Sequence, residues 1–112
     1  MKYEMEIKNG FHILRLREDV GGTTDLDAFK EIIRGLLEKG MKNLAIEFTP
    51  NSYFCSLTLS VLVQFLGFVK EREGELVILR PNERIANTLQ IVGLHKLIKM
   101  ANAETDLPGG DT

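Results

Sequence analysis

The sequence predicts an α/β domain in which a mixed β-sheet, opened by an N-terminal hairpin and continued by parallel strands, carries helices packed over it. Three observations lead there. Residues 3–17 alternate apolar and polar side chains on either side of an Asn-Gly pair, the strongest short signal for a hairpin. Phe29, Ile32, Ile33, Leu36 and Leu37 recur at helical spacing, and Gly40 stops the pattern. Short apolar runs, "LAIEF" and "ELVIL", then alternate with helical stretches, which calls for crossover connections and parallel pairing.

Taken in order, "YEMEIK" (3–8) alternates with the period of a strand, and "FHILRLR" (11–17) returns as its partner. Phe11 and Ile13 fall on one face of that second strand and Leu14 and Leu16 on the other, so both faces should be covered. "GGTTD" (21–25) is a loop, with Thr24 and Asp27 forming the looser acidic version of a capping box. "KNLAIEF" (42–48) is a strand broken by "TPNS". Residues 57–72 form a second helix whose charges gather at its end, where Lys70 and Arg72 suit the helix dipole. Its earlier turns are apolar on nearly every side, which calls for burial on more than one face. "ELVILR" (75–80) is the next strand. Pro81 and Asn82 open a third helix, with Ile85, Leu89 and Val92 on one face and Gly93 at its end. "LHKLIKM" (94–100) should return as the last strand. From Ala101 the periodicity is lost, so a single domain over residues 1–100 is expected, followed by a short mobile tail over 101–112.

Composition narrows the function classes. A chain of 112 residues can bury roughly two thirds of its extended surface, enough for a real core. With a net charge of −2 and no basic cluster, it has no electrostatic footprint for a nucleic-acid partner. One cysteine rules out an internal disulfide, and the start of the chain has no signal-like apolar run, so the expected setting is the cytoplasm. Tyr53–Val69 runs 17 residues without a charge, the lower limit for a membrane span. It also carries Ser56, Thr58, Ser60 and Gln64, so it reads as a buried helix, and no membrane partner is expected.

Residues that carry chemistry are sparse. His12 and His95 stand alone in sequence, and a single cysteine with two separated histidines does not make a zinc site. Neither a nucleophile elbow nor a phosphate-cradling Gly-rich loop occurs. No cofactor, no metal and no enzymatic activity are expected. Gly21-Gly22 precedes a helix, which suits an anion less well than it suits a turn before a cap. Cys55 reads as a small packed residue, because no base stands beside it in sequence, rather than as an activated thiolate. Ser56 has two readings, an N-cap for a helix beginning at Leu57 and a phosphorylation site whose charge would sit at a helix start.

Read together, the hairpin, "LAIEF", the apolar helix opening with hydroxyls, "EREGELVIL" and "ANTLQIVGLHKLIKM" resemble the STAS domain. More narrowly they resemble the bacterial anti-sigma factor antagonists, over about residues 5–100. The likeness is most specific at "GELVIL" and at Leu89, Gly93, Leu94 and Ile98. It implies a non-enzymatic module that binds an anti-sigma factor, often a serine kinase, and so frees a sigma factor. In such families the kinase phosphorylates a serine in a D-S-[SA]-G-L stretch at the start of the second helix, and the charge ends binding.

That stretch falls on "CSLTL" (55–59). Cys55 stands in place of the aspartate, Ser56 on the first hydroxyl, and Leu57, which cannot accept phosphate, on the second. Thr58 replaces the glycine and Leu59 matches. Gly21 or Gly22 stands where an acidic residue usually precedes the first helix, and Glu47 replaces the usual strand aspartate. The resemblance therefore implies a degenerate phosphorylation motif, with Ser56 and Thr58 as the candidate acceptors. It implies a partner-binding surface made of Phe54, Cys55, Ser56, Leu57, Thr58 and Leu59 with Gly22 and Thr23. The expected partner is an anti-sigma factor, with a second copy of the chain as a further candidate. The alternative is a non-switching scaffold or oligomerisation unit of a signalling assembly or transport system.

Overall fold

In the computed structural model, which describes residues 1–107, Asn9 and Gly10 take positive φ of 55° and 78° and turn the chain between β1 (Tyr3–Lys8) and β2 (Phe11–Leu16). This is the type I′ geometry that an Asn-Gly hairpin requires. The two strands pair antiparallel, Tyr3 opposite Leu16 and Lys8 opposite Phe11. After helix α1 (Leu26–Glu38) the chain enters β3 (Leu44–Glu47), then α2 (Ser56–Glu71), β4 (Leu76–Leu79), α3 (Glu83–Ile91) and β5 (Lys99–Ala101). The sheet order is β1-β2-β3-β4-β5, with every pair after the hairpin parallel. The predicted α/β architecture with a mixed sheet is the observed one.

Strand alternation divides the core into two clusters. Leu14, Leu16, Leu44, Ile46, Leu76 and Ile78 face one side, and all three helices bury side chains against them. Phe11, Ile13, Ala45, Val77 and Leu79 face the other side together with Ala101 and Leu107. An edge-to-face run of aromatics ties the helices to the loop before α2. Phe65 meets Phe29 at 5.1 Å, Phe29 meets Phe48 at 6.2 Å, and Phe48 meets Phe54 at 4.8 Å. Such pairs contribute about 1 kcal/mol each beyond the burial of their area.

The structure corrects four local expectations. The cap of α1 is Asp25, whose carboxylate accepts the Asp27 amide at 3.0 Å. Thr24 is diverted, because its hydroxyl accepts the Gly21 amide at 2.8 Å instead. Residues 94–100 do not form one strand. Gly93 turns left-handed at φ 81°, the Leu94 carbonyl then accepts the Leu97 and Ile98 amides in a 3₁₀ turn, and only Lys99–Ala101 pairs with β4. Ile85 and Leu89 are buried as expected, but Val92 is exposed and Ile91 more so, at 84%. Finally, α2 is not buried on more than one face: it buries Thr58, Val61, Leu62, Phe65, Leu66 and Val69 but leaves Leu57, Val63 and Phe68 in solvent.

The packed part of the chain also runs past residue 100. Ala101 pairs with Leu79, and its carbonyl accepts the Arg80 amide at 2.7 Å. Leu107 is buried in the second cluster, and Glu104 forms ion pairs with Arg15 and, at 2.9 Å, with Lys8. Arg15 also meets Glu6 and, at 3.3 Å, Glu47. These contacts hold the 102–107 segment where the strand pattern ends, which periodicity alone does not register. The remainder of the predicted tail, 108–112, lies outside the described residues.

Candidate functional site

Parallel strands deliver their loops to one end of a sheet, and in open α/β sheets binding sites form beyond the C-terminal ends of the strands. Here the loops after β2, β3 and β4 meet at that end and are cross-tied by short polar side chains. The Ser52 hydroxyl, fully buried, accepts the Val20 amide at 2.9 Å, and the Tyr53 amide donates to the Val20 carbonyl at 2.9 Å. The Thr49 hydroxyl donates to Asp19 at 2.6 Å and lies 2.6 Å from the Ser52 hydroxyl. The Tyr53 hydroxyl accepts the Gly22 amide at 2.9 Å. A side chain at Gly21 would come within 2.8 Å of the Tyr53 ring, so the close approach of that loop depends on glycine.

Asn82 joins the third loop to the second. Its amide nitrogen donates to the carbonyls of Thr49, Pro50 and Ser52, the last at 2.8 Å, while its carbonyl oxygen caps α3 through the Ile85 amide at 2.8 Å. Asn82→Ala removes both a helix cap and these ties, and it should lower unfolding stability by about 2 kcal/mol. Asn82→Asp keeps the capping oxygen and loses the donors, so it should fall between the two. Urea titration measures this, and an alanine variant within about 0.5 kcal/mol of the parent would contradict the role.

On this frame α2 begins. Cys55 is its N-cap residue, with extended backbone (φ −97°, ψ 178°) and no side-chain capping hydrogen bond. Ser56 is the first helical residue, so the predicted cap is displaced by one position and the serine hydroxyl is exposed. Leu57 is 67% exposed, and no acidic residue lies in the first turn. Thr58 is fully buried, with its hydroxyl 3.4 Å from the Cys55 sulfur. Phe54 is buried in the aromatic run and Leu59 packs partly against the core. Gly22 and Thr23 are exposed on the adjoining loop.

The predicted site residues are therefore split by depth. Leu57, Ser56, Gly22 and Thr23 are on the surface, Cys55 is half-buried, and Phe54 and Thr58 lie beneath it. Sequence reasoning missed Tyr53 and Arg84. The Arg84 guanidinium lies over the Tyr53 ring, 4.6 Å from its centroid, and carries α3 to the edge of the surface. Tyr53 belongs to an irregular loop with no period to mark it.

The Thr58 hydroxyl, followed by the Thr58 amide, holds the Cys55 thiol below its ordinary value, against the opposing effect of burial. Thr58→Val, nearly isosteric, should raise the thiol pKa, read from the pH dependence of alkylation. An unchanged profile would mean that the hydroxyl does not act on the sulfur. His12 opens β2 beside Leu44, and His95 precedes β5. Both belong to the opposite end of the parallel strands, so neither is placed to serve as a base for Cys55. Among the described residues no cluster of histidine, cysteine and carboxylate side chains can hold a metal ion, and no helix is long and apolar enough to cross a membrane.

The family model of the STAS domain matches residues 2–107. Proteins named anti-sigma-B factor antagonist from Listeria monocytogenes and Listeria innocua are each 31% identical to the chain over 68 residues, which is 61% of this chain and 60% of theirs. Among solved structures, a candidate anti-sigma factor antagonist of Thermotoga maritima superposes with a TM-score of 0.83 at 19% identity, covering 93% of this chain and 89% of that one. The phosphorylated form of the Bacillus cell fate determinant SpoIIAA gives a TM-score of 0.69 at 15% identity, covering 93% and 95%. At these identities the superpositions speak for the fold.

Proposed function

The chain belongs to the STAS domain family, and on that premise we propose that it is an anti-sigma factor antagonist that binds its partner through the first turn of α2 and the loops around it. The observation that carries this reading is Leu57, a large apolar side chain left 67% exposed at an uncharged helix start. The cross-tied loops make that surface rigid, which lowers the ordering cost of docking. The names of the Listeria relatives supply the partner class. The exposed residues of the adjoining loops and of the start of α3, Gly22, Thr23, Tyr53 and Arg84, would supply the polar part of the proposed surface. The protein acts by occupancy, as a binding module with no reaction of its own.

Where the partner is a serine kinase, Ser56 is the hydroxyl that it reaches, since Thr58 is fully buried. A phosphoryl group there adds about −1.5 to −2 charges beside Leu57 and meets the positive end of the helix. It would be tolerated by the fold and opposed by an apolar partner surface.

The test is transcription from a sigma-dependent promoter held silent by the anti-sigma factor of the source organism. Adding the protein should restore transcription in proportion to its concentration. A folded protein that leaves transcription silent in excess would overturn the proposal.

A second reading, a scaffold unit pairing with its own copy, is favoured by the exposed Ile91, Val92 and Leu97. Sedimentation up to the solubility limit decides it, because a strict monomer removes this reading.

A further inference from the structure

A groove runs between α1 and the C-terminal half of α2, away from the first turn of α2. It holds a cavity of about 130 Å³ lined by Lys30, Arg34, Leu37, Gln64, Phe65 and Phe68. Phe65 is buried and forms the floor, while Phe68 stands 40% exposed at the rim. The charged side chains of the lining are both cationic, in a chain whose net charge is −2. Among the described residues Lys30 has no ion pair, and Arg34 meets only Glu31 at 2.6 Å, with both side chains about two thirds exposed. An exposed pair of that kind contributes about 0–1 kcal/mol, so Arg34 is readily shared with another carboxylate.

We propose that this groove docks an acidic segment of a partner protein, seating one leucyl or phenyl anchor over Phe65 with carboxylates against Lys30 and Arg34. Size excludes a drug-sized ligand, whose pockets run to about 300–1,000 Å³. Charge selects the sign of the partner. The groove on the other side of α1 shows the contrast, since Glu31 and Lys39 both line it and cancel. The exposed apolar residues at 91–97 are accompanied by Lys96 and no carboxylate, so that segment of a second copy does not supply the acidic groups.

The test uses the full chain, isotopically labelled, and a blocked hexapeptide Asp-Glu-Leu-Phe-Asp-Glu, with its Asn-Gln-Leu-Phe-Asn-Gln counterpart as control. The acidic peptide should shift amides within 30–37 and 64–68, and its affinity should fall several-fold between about 50 and about 300 mM salt. The neutral peptide should bind at least tenfold more weakly. Lys30→Gln with Arg34→Gln, both surface changes, should weaken the acidic peptide to the same degree, and Leu57→Asp should leave it unchanged. The last variant separates this groove from the first turn of α2, so either surface can fail alone. Absence of shifts, equal binding of the neutral peptide, or shifts centred elsewhere would each overturn the proposal.

Discussion

Leu57→Asp should weaken binding of the proposed anti-sigma factor partner by about a hundredfold or more, equivalent to about 3 kcal/mol, while leaving the fold intact. The side chain is mostly solvent-exposed and packs on nothing that its loss would empty. An aspartate in the first turn of a helix is favoured by the dipole, so folded stability should stay level or rise slightly. The partner meets the opposite situation. An apolar pocket shaped for leucine would have to bury a carboxylate with no partner, and an unpaired buried charge is among the costliest changes an interface can suffer. Leu57→Ala removes contact without adding charge and should lose about 1–2 kcal/mol, measured by titration calorimetry. If Leu57→Asp binds within threefold of the parent, the surface around Leu57 is not the interface.

Gly74→Ala should destabilise the domain by about 3 kcal/mol or more, because the added methyl group has no room. A Cβ at position 74 would lie 1.8 Å from the Lys42 carbonyl oxygen and 2.7 Å from its carbonyl carbon, which are backbone atoms and cannot rotate aside. Nor can the strands separate cheaply. The Glu75 amide donates to the Asn43 side chain at 2.9 Å, and the Leu44 amide donates to the Glu75 carbonyl at 2.9 Å. The neighbouring residue gives the control. Glu73 holds φ 59°, a conformation that glycine adopts more easily, so Glu73→Gly should be neutral or slightly stabilising. Urea denaturation of the two variants checks this, and a Gly74→Ala variant within about 1 kcal/mol of the parent would show that the β3–β4 start can yield.

Gly74 also illustrates how far the residues could be read before the fold was known. It sits in "GELVIL", the stretch that carries the family likeness most specifically, yet its physical role is a contact with Lys42, more than thirty positions away, that no local pattern expresses. What was legible followed periodicity and turn chemistry: the Asn9-Gly10 hairpin, the two covered faces of β2, and the opening of the third helix near Asn82. What was not legible depended on competition between close alternatives. Thr24 and Asp25 both offer capping oxygens, and the local turn that closes Thr24 onto the Gly21 amide leaves the cap to Asp25. The stretch 94–100 is apolar enough for a strand, and the left-handed turn at Gly93 makes its first half a 3₁₀ turn.

The same limit applied at the site. The "CSLTL" stretch was recognised, but its residues are consecutive on a helix and so point in different directions. Adjacent positions put Leu57 in solvent and Thr58 in the core, and Phe54, just before the helix, is buried as well. Tyr53 and Arg84 come together where the loop before α2 packs against the start of α3, which a linear reading of either segment does not show.

The most direct test of the central claim is amide hydrogen exchange of the protein with and without the proposed anti-sigma factor partner. Binding should protect residues 53–59 together with 21–24 and the start of α3, and Ser56→Asp should abolish that protection at the same partner concentration while Ser56→Ala retains it. Protection confined to other surfaces, or unchanged by Ser56→Asp, would contradict the account.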